Sequence, residues 1–156
     1  MSHRLAARLD AENKLNGVKL IAGNIFDVSS IPHGHIFLMK HFLDRCMWSE
    51  QETIQILKNC RRCFVEPTPS GPGGLNAPQH LIIAEAVLPS SGEIDTASPS
   101  QRTSLYMDAL YMLVGRERQR TRAEWEALAS VAGWKIISMQ SQQVPSCAIL
   151  TLEKVD

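Results

Sequence analysis

Short apolar runs separated by amphipathic stretches organise this 156-residue chain. Leu5, Ala6, Leu9 and Leu15 recur at roughly helical spacing, with Arg4, Arg8 and Asp10 on the other side, which predicts an N-terminal helix ended by Asn16-Gly17. The β-rich runs VKLIAG at 18–23 and HIFLMK at 35–40 predict two buried strands. Ser49 and Glu52 then form a capping-box pattern. It opens a helix over 50–63 whose buried stripe is Ile54, Leu57 and Cys60. Residues 66–79 hold four prolines and three glycines and predict a long surface loop. HLIIAEAVLP at 80–89 is a third strand, and a helix over about 101–114 is expected to bury Leu105, Ala109 and Met112. Thr121 and Glu124 repeat the capping box ahead of WEALASVAG, with Gly133 as its C-terminal stop. WKIISMQ and SCAILTLE close the chain as a predicted antiparallel pair. Strands alternating with helices predict an α/β layered domain.

Composition narrows the function classes. With 44% hydrophobic residues the chain can bury a sizeable core. Sixteen basic and sixteen acidic side chains cancel, so no net field recruits nucleic acid or an anionic membrane. Small neutral or partly polar ligands fit better. Cys60 and Cys63 form a Cys-x-x-Cys pair late in a predicted helix, and no second Cys or His pair stands at zinc spacing; reduced core thiols and no metal are expected. The N-terminal residues are charged throughout and no run reaches transmembrane length, which points to the cytoplasm.

Five ordered motifs carry a resemblance. Gly23-Asn24-Ile25-Phe26, Phe37-Leu38-Met39-Lys40, the pair Trp48-Ser49-Glu50-Gln51 and Ile56-Leu57-Lys58-Asn59-Cys60, Ile83-Ala84-Glu85-Ala86-Val87-Leu88-Pro89, and Gly115-Arg116-Glu117-Arg118 with Arg120-Thr121-Arg122-Ala123-Glu124-Trp125 follow one another in the chain. Together they resemble the C-terminal half of the S-adenosylmethionine (SAM)-dependent small-molecule O-methyltransferases, the caffeate and hydroxyindole enzymes among them. The resemblance runs from about residue 5 to 153. It implies a partial Rossmann-like class I methyltransferase sheet with helices on both faces, all of 1–156 being the C-terminal part of a catalytic domain. It also implies methyl transfer from SAM to a hydroxyl of a small aromatic molecule. Asn24, Ile25 and Lys40 would then lie along the cofactor's edge, since ligands of doubly wound sheets sit at the strands' carboxyl ends. Glu85 and Glu117 would match the carboxylates that orient the family's histidine base.

The chain departs from that pattern at the base itself. Counting from Lys40 places Asp44 at the family's histidine position, with two extra residues before Trp48. His41 falls where the family carries Trp or His, and reads as a packing residue or a relocated base. The match of Glu117 competes with Gln119, reached by counting back from Arg120-Thr121. No GxGxG occurs, and Gly71-x-Gly73-Gly74 lies in the proline-rich loop with no strand before it. In the family's sheet order, 3-2-1-4-5-7-6, the strand at 18–22 would be third and that at 35–40 fourth, with two strands missing between them. Each unpaired buried backbone group there would cost about 1–3 kcal/mol. A rearranged sheet, a homodimer or a complementing chain would relieve that cost. The alternative function is a catalytically inactive remnant or interaction module. Met107, Asp108 and Met112 match variable pocket positions of the family but read as helix-face and core residues.

Overall fold

The computed structural model describes residues 19, 21–43, 47–66, 68–69, 71, 78–89, 94–95, 98–113, 119–141 and 147–155, without the side chains of Ser100 and Ser141. Four strands, β1 (Ile36–Lys40), β2 (His80–Ala86), β3 (Trp134–Ser141) and β4 (Cys147–Lys154), form one sheet in the order β1-β2-β4-β3. β1 and β2 run parallel, from Ile36 opposite His80 to Lys40 opposite Ala84. β2 with β4, and β4 with β3, are antiparallel, which realises the expected closing pair. A register shift between Ile136 and Ser138 marks a bulge at Ile137, which is largely exposed.

Three helices accompany the sheet: α1 (Glu50–Arg62), α2 (Pro99–Leu113) and α3 (Arg122–Val131). The starts of α1 and α3 are complete capping boxes, Ser49 with Glu52 and Thr121 with Glu124, so the N–H groups of these four residues have acceptors. α3 stops at Gly133, whose φ of 80° supplies the left-handed turn after the C-cap. Side chains alternate along a strand. Phe37, Met39, Leu81, Ile83, Leu150 and Leu152 therefore share one face, where they meet Ile56, Leu57 and Cys60 of α1 and Trp125 and Ala129 of α3 in a single core. Ile36 and Leu38 point to the other face and are exposed.

Two expectations fail. Residues 19 and 21–24 carry no strand, 18 and 20 lying outside the described residues, so among the described strands the sheet ends at β1 rather than opening in its middle. A strand needs a hydrogen-bonding neighbour, and none of the described strands offers one there. α2 does not bury Leu105, Ala109 and Met112. It turns Ser104 and Asp108 inward, because the Asp108 carboxylate accepts the Gln119 backbone N–H, and leaves Tyr106, Leu110 and Leu113 exposed. The N-terminal helix expected over residues 1–15 lies outside the described residues, as does most of the proline-rich loop. Cys60, Cys63 and Cys147 are free thiols.

Candidate functional site

The chain leaves β1 through a strained corner. His41 has φ 48°, a left-handed conformation uncommon for a residue with a Cβ, and its N–H still bonds the Ala84 carbonyl at 3.0 Å. The two following N–H groups, of Phe42 and Leu43, then converge on one oxygen, Oε1 of Glu85, at 2.6 and 2.7 Å. Glu85 belongs to β2 and is only 4% exposed. On the carbonyl side of Leu43, the guanidinium of Arg120 donates to the oxygen at 2.5 Å and to the Thr53 hydroxyl at 3.0 Å. Its carbon lies 5.2 Å from the centre of the Trp125 ring. Leu43 is thus gripped on both backbone groups by buried side chains of opposite charge. Such charge-assisted bonds are roughly twice as strong as neutral ones and make burial of the two charges tolerable.

A second loop, Asn24 to Ile31, closes on itself. The Asn24 side-chain oxygen accepts the Phe26 N–H at 3.0 Å, while the Ser30 hydroxyl donates to the Asn24 carbonyl at 2.7 Å and accepts its N–H at 2.8 Å. Asp27 caps the 3-10 turn Val28–Ser30. Trp48 joins this loop to the first one. Its ring lies 5.4 Å from Phe26 and 5.7 Å from Phe42, and its indole N–H donates to the Phe42 carbonyl at 2.6 Å.

Of the residues singled out from the sequence, Lys40 and Glu85 come to neighbouring strand tips. Both act on the Cys147 thiol: burial pushes it up, the Glu85 charge adds to that, and Lys40 opposes it. Asn24 and Ile25 sit on a loop rather than at a strand end, a correction to the sequence reading. The Asn24 oxygen, moreover, is engaged locally. Its amide nitrogen and the Ile25 N–H have no partner among the described residues, so both remain able to donate to an adenine or ribose edge. Asp44 and Glu117 lie outside the described residues. Gln119 is 7% exposed, and its side-chain oxygen is buried without an acceptor role among the described residues. His41 places Nδ1 3.9 Å from Glu85 Oε2, with 59% of its side chain exposed.

The sequence reading placed Asn59 and Arg120 in motifs without giving them a role, and passed over Thr53. Thr53 and Asn59 did leave a trace: polar residues standing in helical register with Ile56 and Cys60, where an apolar stripe is expected, mark buried hydrogen bonds.

Residues 4–135 match the model of the O-methyltransferase domain. The anthranilate N-methyltransferase of Ruta graveolens is 34% identical over 122 residues, covering 78% of this chain and 29% of the relative. The caffeic acid 3-O-methyltransferase of Zinnia elegans is 30% identical over 120 residues, covering 76% of this chain and 29% of the relative. Among solved structures, the pyocyanin biosynthetic protein PhzM superposes with a TM-score of 0.69 at 16% identity, over 96% of this chain and 39% of that one. LaPhzM gives 0.68 at 22% identity, over 99% and 40%. The chain therefore spans under a third of the length of these sequence relatives. By the match over most of its length, this chain belongs to the O-methyltransferase family.

Proposed function

We propose that these 156 residues form the C-terminal part of the catalytic domain of a cytoplasmic, SAM-dependent methyltransferase that methylates a hydroxyl of a small aromatic molecule. The observation that carries the reading is the family match over residues 4–135. The relatives' names, caffeic acid 3-O-methyltransferase and flavonoid 7-O-methyltransferase among them, support an aromatic acceptor. One solved neighbour of the fold is described as bound to S-adenosylhomocysteine, which supports the cofactor.

SAM would supply an electrophilic methyl on a sulfonium, so the chain's task is to hold and orient the two reactants. Asn24, through its amide nitrogen, and Ile25, through its N–H, would donate to the adenine or ribose edge. Lys40 stands exposed at the tip of β1, and its charge, like that of Glu85, reaches the Cys147 thiol. Glu85 and Arg120 fix the backbone that leads into Asp44. Asp44 then takes the place of a base, and Glu117 that of a second carboxylate. A carboxylate with a pKa of about 3.9 is a weak acceptor for a phenol near 10. Slow turnover is therefore expected, rising in Asp44→His. The decisive measurement is calorimetric titration of the folded chain with S-adenosylhomocysteine. Binding supports the reading, and a flat titration of a folded, pure sample overturns it for this chain.

A further inference from the structure

We propose that Asn59 is the positioning residue that sets the cofactor edge against the body of the domain; the inference rests on the reading of Asn24 and Ile25 given above. Asn59 lies in the last turn of α1 and is completely buried. Neither circumstance favours asparagine, which is a poor helix former and costly to bury without partners. Both ends of its amide are engaged. The nitrogen donates to the Ile25 carbonyl at 2.9 Å, and the oxygen accepts the Gln55 side-chain amide at 2.7 Å.

The importance of the first bond follows from what else holds the loop. Every other nitrogen–oxygen or oxygen–oxygen hydrogen bond of residues 24–31 among the described residues is internal, joining Asn24 with Phe26, Asp27 and Ser30, Asp27 with Ser29 and Ser30, and Val28 with Ile31. The Cys63 thiol reaches the Val28 carbonyl only at 3.7 Å. The loop is thus shaped by its own side chains; Ile25 packs on the core and Phe26 on Trp48, and Asn59 supplies the nitrogen–oxygen hydrogen bond that ties it to α1. The carbonyl that Asn59 takes belongs to Ile25, whose own N–H is the group offered to the cofactor. An error in that one bond therefore displaces the donor that meets the ligand.

Two variants separate positioning from bulk stability. Asn59→Leu keeps the site filled and removes the donor, while Asn59→Asp keeps the shape and sets one carbonyl-type oxygen against another. Both should weaken S-adenosylhomocysteine binding by about tenfold or more. Both should also lose the nuclear Overhauser contact between the Phe26 and Trp48 rings, with urea m-values and far-ultraviolet circular dichroism kept. Unchanged affinity in a folded variant overturns the inference. If the parent chain binds no S-adenosylhomocysteine, the functional reading fails by itself, and the ring contact decides the rest: its persistence in folded variants overturns the positioning role, and its loss supports it.

Discussion

Removing the Glu85 carboxylate strips two backbone N–H groups, the buried one of Leu43 and the part-buried one of Phe42, of their acceptor at once. Each orphaned group costs about 1–3 kcal/mol, so Glu85→Ala should destabilise the domain by about 2–5 kcal/mol, a large part of a typical domain's stability. Glu85→Gln retains one oxygen and should cost less than half as much; chemical denaturation of the two variants checks the order. Equal losses would mean that the charge, not the acceptor geometry, holds the corner. Cys60 gives the pH counterpart. Burial, then the neighbouring charge of Cys63, raises its thiol from 9.0 to about 12. The folded pKa lies above the unfolded one, so the folded state keeps a proton that the unfolded chain releases. This contribution is whole below pH 9 and is lost as the pH rises toward 12. The urea midpoint should therefore fall across that window, and fall less steeply in Cys60→Ala, although that variant starts lower.

The helices show what each element owes to its own sequence. α1 and α3 carry their start signals within four residues, and Ser49→Ala or Thr121→Ala should each cost about 1 kcal/mol, adding to about 2 in the double variant because the caps share no partner. The Ser49 hydroxyl, then its backbone N–H, holds the Glu52 carboxyl below its usual value of 4.5. The box therefore supports the fold above that pH and loses its effect as acid titrates Glu52, which acid denaturation of Ser49→Ala against the parent would show. Such local signals explain why α1, α3, β2 and the closing strand pair were legible in the sequence. The span of α2 was legible as well, but its buried face was not, because its orientation is decided by Asp108 reaching the Gln119 N–H across 11 residues, not by its apolar spacing. The apolar run at 18–23 misled because a strand is defined by a neighbour, which no run of residues reveals about itself. Of the candidate site, Lys40 and Glu85 were legible through motif order. The clamp of Arg120 on Leu43 spans 77 residues and leaves no local pattern.

At the scale of the whole molecule, β1 is the outer strand of the sheet, and no described strand pairs with its free side. The flank is also apolar: Leu38 is 67% exposed and Ile36 54%, with Lys40 the one charge on the strand. Natural edges are guarded by charges, prolines, bulges or covering elements, and the bulge of this sheet lies in β3, at its opposite margin. Strand backbone with no described strand on its free side, beside two exposed aliphatic side chains, should favour association between copies as the concentration rises. The sedimentation coefficient should rise over a tenfold increase in concentration. Leu38→Lys should hold it constant by setting two positive charges against each other across a paired edge. Because Leu38 contributes little to the core, that substitution should change folding stability by no more than about 0.5 kcal/mol. A loss of association therefore cannot be ascribed to unfolding. A parent chain that sediments as a monomer throughout would place the guard of this edge in residues other than those of the strand itself.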